Sequence, residues 1–340
     1  MTLEPPIAPM LAKLARVLPH GPYLFEPKWD GFRCMAFVSL DDVDLRSRNQ
    51  RPLARYFPEV VSDLLCLETG CVLDGELVAQ RDGIADFSAL LARLHPAKSR
   101  AEQLSNETPA TFVAFDALAV GGDNVMDLPF TERRARLEAL LAGRGLAHVT
   151  ISPITDDANV AQGWLDVAPN PGIDGVVAKP TDLRYEPGKR AMTKVKPERS
   201  VDCVVAGMRA YDGEAPAVAS LLLALFDHHD ELRHVGVAAS FRAAERVTVF
   251  RELVPLVVPL AQHPWREGFA LEGGPTGRLR GAAGRWTPAM TMDWIPLAPE
   301  RVCEVTYDQR DGYRFRHPAK FKRWRPDRDA ASCTVEQLER

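Results

Sequence analysis

Lys28 sits in the run Phe25-Glu26-Pro27-Lys28-Trp29-Asp30-Gly31-Phe32-Arg33, where its neighbours suit a lysine that acts as a nucleophile. A lysine amine attacks only after its ammonium loses a proton, which burial or nearby positive charge promotes. Asp30 can orient the amine, Gly31 permits close approach of backbone and ligand, and Arg33 brings a fixed charge to a phosphate. Alone, Lys-x-Asp-Gly also suits a hairpin turn with an exposed lysine, so the rest of the chain has to decide.

Other residues have types that fit the same chemistry. Lys194 and Lys196 alternate along an extended run, which puts two ammoniums on one face. They repel unless an anion lies between them; the alternative is an exposed polar strand face. Glu76 and Asp174 each adjoin a glycine in an apolar strand context, where an acid is rarely buried without a partner. Otherwise they are surface strand ends near turns. Phe115 precedes Asp116 in an apolar strand and, taken alone, reads as core packing. Arg314, Arg316, Lys320, Lys322, Arg323, Arg325 and Arg328 form a basic run whose interspersed acid is Asp327.

The elements that must hold these residues follow from patterning. Phe32–Ser39, Val43–Arg46, Cys71–Gln80, Thr111–Val120, Asp174–Lys179 and Met192–Val195 read as strands, and Phe57–Leu67 as a helix. Thr131–Ala142 reads as a helix capped by Thr131 and stopped at Gly143. Lys196-Pro197-Glu198-Arg199-Ser200 is polar and proline-broken and reads as a hinge. Beyond it, Val201–Met208, Ser220–Phe226, Leu232–Ala238, Arg301–Tyr307 and Tyr313–Arg316 read as strands and Glu245–Leu260 as a helix. Asp311-Gly312 is a hairpin turn pair, and the glycine- and proline-rich stretch Pro264–Pro288 reads as an irregular loop. Five strands with one helix suit a small barrel of the oligonucleotide-binding kind.

Composition sets the bounds. A length of 340 residues accommodates two domains, and 46% apolar with 26% charged residues is ordinary for a soluble globular chain. The net charge of -4 means that any nucleic-acid role rests on local patches. Six cysteines without a Cys-x-x-Cys pair disfavour a structural zinc site and a disulfide framework. No secretory signal or membrane-length apolar run is visible. The expected setting is the cytoplasm.

In order, the motifs are Lys28-Trp29-Asp30-Gly31-Phe32-Arg33, Ser47-Arg48-Asn49, Leu73-Asp74-Gly75-Glu76-Leu77, Phe112-Val113-Ala114-Phe115-Asp116, Asp174-Gly175-Val176-Val177-Ala178-Lys179 and Lys194-Val195-Lys196. Arg314-Phe315-Arg316-His317-Pro318 and Arg325-Pro326-Asp327-Arg328 follow. From residue 7 to about 328 this series resembles the covalent nucleotidyltransferases, most closely the ATP-dependent DNA ligases and, among them, the small bacterial C-type enzymes. The resemblance implies an α+β chain. Residues 1–198 would form an ATP-grasp-like nucleotidyltransferase (adenylation) domain with antiparallel sheets, 199–330 an OB-fold barrel, and 331–340 a C-terminal tail.

It also implies nick sealing in duplex DNA, in DNA repair, through an AMP adduct on Lys28. Glu26, Lys28, Arg33, Arg48, Glu76, Phe115, Lys194 and Lys196 would contact ATP, with Phe115 stacked on the adenine. Glu76 and Asp174 would serve Mg²⁺ or Mn²⁺; the family usually has Glu at the position of Asp174, which is one methylene shorter. Arg48, Arg314, Arg316 and Arg325 would contact DNA or pyrophosphate. The positive charge of Lys194 and Lys196 would help to depress the Lys28 pKa. The expected protein is a nucleoid-associated monomer whose second domain moves about the hinge. RNA ligases and mRNA-capping guanylyltransferases share the lysine motif and are the alternative enzymes, and a non-catalytic DNA-binding ligase-like protein is the other class.

Overall fold

Phe32–Val38 and residues 71–79 are largely buried on both faces, as strands covered from two sides are. Cys34, Ala36 and Val38 point into one core, shared with Leu73, Leu77 and Leu137, while Met35, Phe37 and Val72 point into another with Met10, Leu118 and Tyr185. This computed structural model describes residues 3–81, 84–94, 97–166, 172–211, 216–266 and 294–338. It divides into two units, Met1–Pro197 and Glu198–Arg340.

The first unit contains two sheets. A seven-stranded sheet has the path Val43–Ser47, Phe32–Val38, Cys71–Arg81, Ala110–Val120, Asp123–Asn124, with Ile84–Ala85 and Val149–Ile151 attached. A four-stranded sheet runs Leu11–Ala15, Arg190–Val195, Ile173–Pro180, Tyr23–Trp29. Most pairings are antiparallel; Leu11–Ala15 joins Arg190–Val195 in parallel and Val149–Ile151 joins Ala110–Val120 in parallel. The core of Met10, Met35, Phe37, Tyr185 and Met192 lies between the sheets. Helices Pro58–Leu64 and Phe130–Leu141 cover the outer face of the larger sheet through Leu64, Leu137 and Leu140. Helix Ala158–Asp166 covers the smaller one through Ala161 and Leu165.

In the second unit a five-stranded sheet has the order Leu232–Ala238, Ala217–Phe226, Arg199–Tyr211, Ile295–Tyr307, Lys320–Trp324. Ala319 N–H donates to the Val237 carbonyl at 2.8 Å beside the Ala238–Ala319 bridge, so the last strand returns to the first in that order and the sheet curls into a barrel. The helix Ala243–Leu253 falls between the third and fourth strands of this unit, and the five strands make a small barrel of the OB kind.

Some expectations need correcting. The helix expected over Glu245–Leu260 ends at Leu253 and gives way to a 3₁₀ turn over Val254–Leu256, because Pro255 has no N–H to continue the ladder. Helix Phe130–Leu141 starts after Pro129, and Thr131 is inside it, donating its hydroxyl to the Thr181 carbonyl. At Asp311-Gly312 the hairpin joins Arg310–Asp311 to Arg314–Phe315, not the strand ending at Tyr307. The tail expected over 331–340 is largely packed: Cys333, Val335 and Leu338 sit in the barrel core. The loop expected at Pro264–Pro288 lies outside the described residues from 267 onward. Among the described residues no helix is long and apolar enough to cross a membrane.

Leu338 is only 3% exposed, so Leu338→Ala should cost about 2–4 kcal/mol of barrel stability in chemical denaturation, where a true tail would show almost none.

Candidate functional site

The chain crosses from one sheet of the first unit to the other at Asp30-Gly31, between the strands Tyr23–Trp29 and Phe32–Val38. That corner needs glycine because a Cβ on Gly31 would lie 2.0 Å from the Leu77 carbonyl oxygen. The neighbouring backbone, and not a ligand, imposes Gly31. Lys28, just before the corner, lines a cavity of about 450 Å³ in the first unit. Glu26, Arg33, Arg48, Glu76, Phe115, Lys179, Arg190 and Lys194 line the same cavity. The volume is in the range of small-molecule and cofactor sites.

Lys28 Nζ donates to Asp174 Oδ2 at 2.8 Å, and Lys196 Nζ lies 2.6 Å from the same oxygen. Burial favours the neutral amine of Lys28, but Asp174, helped by Glu76 and Asp30, outweighs it and the net shift is upward. Burial likewise pushes the Asp174 carboxyl up, and Lys28 and Lys196 reverse this to a net downward shift. The group is therefore a carboxylate shared by two ammoniums. This corrects the expectation that Lys196 would depress the Lys28 pKa: the Asp174 charge lies between them. The hydrogen-bond partner of the amine is Asp174, 146 residues away, whereas the sequence suggested Asp30.

Arg33 is held by Asp74, with Nε–Oδ1 at 2.6 Å and Nη2–Oδ2 at 2.7 Å, and its guanidinium lies 4.5 Å from the Phe115 ring centroid. Glu26 is buried beside Lys179 at 2.9 Å and Arg134 at 3.3 Å, and burial still pushes its carboxyl upward. Lys179 also donates to the Phe115 carbonyl at 3.2 Å and lies 4.8 Å from that ring. Asp116 is clamped by Arg133 at 2.8 and 2.9 Å. Glu76 accepts from the Gly31 N–H at 3.2 Å, and burial, opposed by Arg33 and Lys28, pushes its carboxyl to about 7.

The sequence pointed to Glu26, Lys28, Arg33, Arg48, Glu76, Phe115 and Lys194 separately, and the fold gathers them around one cavity. Lys196 and Asp174 are behind Lys28 instead of on the cavity wall. Arg314, Arg316 and Arg325 belong to the second unit. There the basic run is more neutralised than its sequence suggests. Glu304 takes Lys322 and Arg323, and Asp202 takes Arg325 through both carboxylate oxygens. Glu304 is opposite Arg323 in the strand register, a pairing invisible in a linear run. Arg316 donates to Gln309 at 3.1 Å and Arg314 Nη2 is 3.5 Å from His234 Nδ1.

Asp74 and Lys179 lie inside the motifs but have no role assigned from the sequence, and Tyr185 lies outside them. Asp74 could have been found, since an acid inside an apolar strand demands a partner. Tyr185 gave no signal, being 111 residues from the carboxylate that it meets.

Residues 7–196 match the family described as ATP dependent DNA ligase domain, and residues 214–328 the one described as ATP dependent DNA ligase C terminal region. The chain is 48% identical to DNA ligase C2 of Mycolicibacterium smegmatis over 98% of its own length and 95% of that protein. It is 45% identical to DNA ligase C of Mycobacterium tuberculosis over 100% of its own length and 96% of that protein. A solved structure from a study of Lig E DNA ligases shares 16% identity at a TM-score of 0.56, covering 94% of this chain and 99% of that one, a likeness of fold.

Glu76 yields a pH prediction. An acid whose folded pKa is raised to about 7 from 4.5 binds more protons folded than unfolded between those values, so its contribution falls as pH rises through that window. Glu76→Gln should therefore gain stability relative to the parent on going from pH 5 to pH 8. Thermal unfolding at both pH values checks this; a constant difference would contradict the raised pKa.

Proposed function

Because the chain belongs to the ATP-dependent DNA ligase family, we propose that its cavity binds ATP with the α-phosphate facing Lys28 and that the protein seals nicks in duplex DNA through a lysyl-AMP adduct. The observation that carries this reading is the position of Lys28 on the cavity wall, backed by Asp174 and surrounded by Arg33, Arg48 and Lys194. A lysine without a cation-rich cavity beside it would have no reason to meet a triphosphate.

In the first step the Lys28 amine, having given its proton to solvent, forms an N–P bond to the α-phosphate as the bond to the leaving pyrophosphate breaks. AMP then passes to the 5′-phosphate of the nick, and attack by the 3′-hydroxyl forms the phosphodiester and expels AMP. Phosphoryl transfer of this kind calls mainly for positioning and charge compensation. Lys194 supplies compensation near the α-phosphate and Arg48 at the nick phosphate, while Lys196 acts from behind Lys28 through the Asp174 that they share. Phe115 offers an apolar face to the base, with Glu26 and Lys179 at its edge. Glu76 engages the ribose.

Asp174 does not suit a divalent ion as a direct ligand while Lys28 and Lys196 both occupy its Oδ2. Glu76 suits one, as a carboxylate on the cavity wall, and Mg²⁺ is commonly held by one or two carboxylates together with substrate phosphates. The ion would add charge neutralisation to that provided by the lysines and arginines. DNA contact is largely to the backbone and so falls with salt. The protein acts as a monomer in cytoplasmic DNA repair, associated with the nucleoid.

With α-labelled ATP, the parent protein should take up label that stays with it through denaturing electrophoresis, and Lys28→Ala should take up none while still unfolding as a cooperative, folded protein. Label from ATP and not from GTP separates this activity from guanylyl transfer. Label on Lys28→Ala would remove Lys28 as the nucleophile.

A further inference from the structure

Tyr185 lies in the segment after the strand Ile173–Pro180, outside every motif of the sequence, and is 5% exposed. Its hydroxyl accepts from the Met10 N–H at 3.0 Å and donates to Asp74 Oδ2 at 2.6 Å. Burial and the Asp74 charge push the phenol well above its ordinary range, so it remains a donor at any working pH. Asp74 is fully buried and accepts from Arg33 Nε and Nη2. Arg33 Nη2 also donates to the Met10 carbonyl at 3.3 Å. The bonds therefore close a ring: Met10 N–H to Tyr185, Tyr185 to Asp74, Arg33 to Asp74, and Arg33 back to the Met10 carbonyl.

The ring constrains the arginine. A guanidinium has five N–H donors in a rigid fork, and the ring uses the one on Nε and those on Nη2. It leaves Nη1, on a side chain that lines the cavity and lies over the Phe115 ring. Two bonds to one carboxylate fix the plane of the guanidinium only if the carboxylate itself cannot rotate. The Tyr185 hydroxyl provides that restraint, since among the described residues it is the side chain other than Arg33 that donates to Asp74.

We propose that Tyr185 is a positioning residue: acting through Asp74, it orients Arg33 so that Nη1 donates to an oxygen of the nucleotide in the cavity. The proposal rests on the reading of that cavity as the ATP site and adds a residue to it. Loss of the hydroxyl would let Asp74 turn and Arg33 follow, weakening nucleotide binding before it affects the transfer itself. Met10, which also lines the cavity, would lose the hydroxyl that its N–H meets.

A double-mutant cycle on lysine adenylation tests this, with α-labelled ATP at varied concentration and the parent protein as the control for the activity itself. Tyr185→Phe should raise the ATP concentration for half-maximal labelling about tenfold, the scale of one hydrogen-bonded interaction, and change the maximal rate much less. In an Arg33→Ala background the same substitution should add nothing. Asp74→Asn, which keeps the shape but removes the charge, should behave likewise and carries the test if Tyr185→Phe folds poorly. An unchanged ATP requirement in Tyr185→Phe, or an effect that persists in full without Arg33, overturns the proposal. A parent protein that takes no label would instead refute the ATP reading on which the proposal stands.

Discussion

The shared carboxylate of Asp174 is the interaction on which the site depends. Two strands of one sheet bring its partners to it: Tyr23–Trp29, which carries Lys28 and pairs with Ile173–Pro180, and Arg190–Val195, which leads into Lys196. Gly175 allows this closeness. Its φ of +145° and a Cβ position 2.2 Å from the Val195 carbonyl oxygen exclude a larger residue without backbone movement. A buried carboxylate without a partner is costly, and removing one member of such a group leaves the others unbalanced. One carboxylate between two ammoniums leaves net positive charge, and Lys194 and Arg48 add to it around the cavity, whereas Arg33 is balanced by Asp74. Field of that sign draws phosphate.

The same arrangement restrains Lys28. With its pKa raised, Lys28 in the ligand-free protein is an ammonium with no lone pair for attack. Whatever activates it must weaken the hold of Asp174 or place positive charge beside it. Glu76, with its carboxyl near 7, and Arg33, set by Asp74, complete a site in which most charges are fixed by other side chains and not by solvent. This is preorganisation, the condition under which electrostatic contributions to phosphoryl transfer are largest.

Much of this was legible in the sequence because local patterns carry it. The strand Leu232–Ala238 falls where the pattern puts it, and Lys28, the Glu76 strand and Lys194, which the fold brings to one cavity, all lie in short motifs. The unreadable parts depend on register and on long-range pairing. Nothing near Lys28 says that its partner is 146 residues away, or that Glu304 opposes Arg323. The strand Leu11–Ala15 was also missed: it pairs in parallel with a segment from the far end of the unit and has no hairpin signal. Proline explains the shortened helix after Leu253, a rule that apolar density had masked.

The most direct measurement is the titration of Lys28 itself in the ligand-free protein, followed by NMR of isotopically labelled lysine side chains. The midpoint should lie above the ordinary lysine value of about 10.4 and fall when Asp174→Asn removes the carboxylate. A Lys28 midpoint below the ordinary value in the parent protein, unmoved by Asp174→Asn, would show that Asp174 does not hold the amine in its charged form.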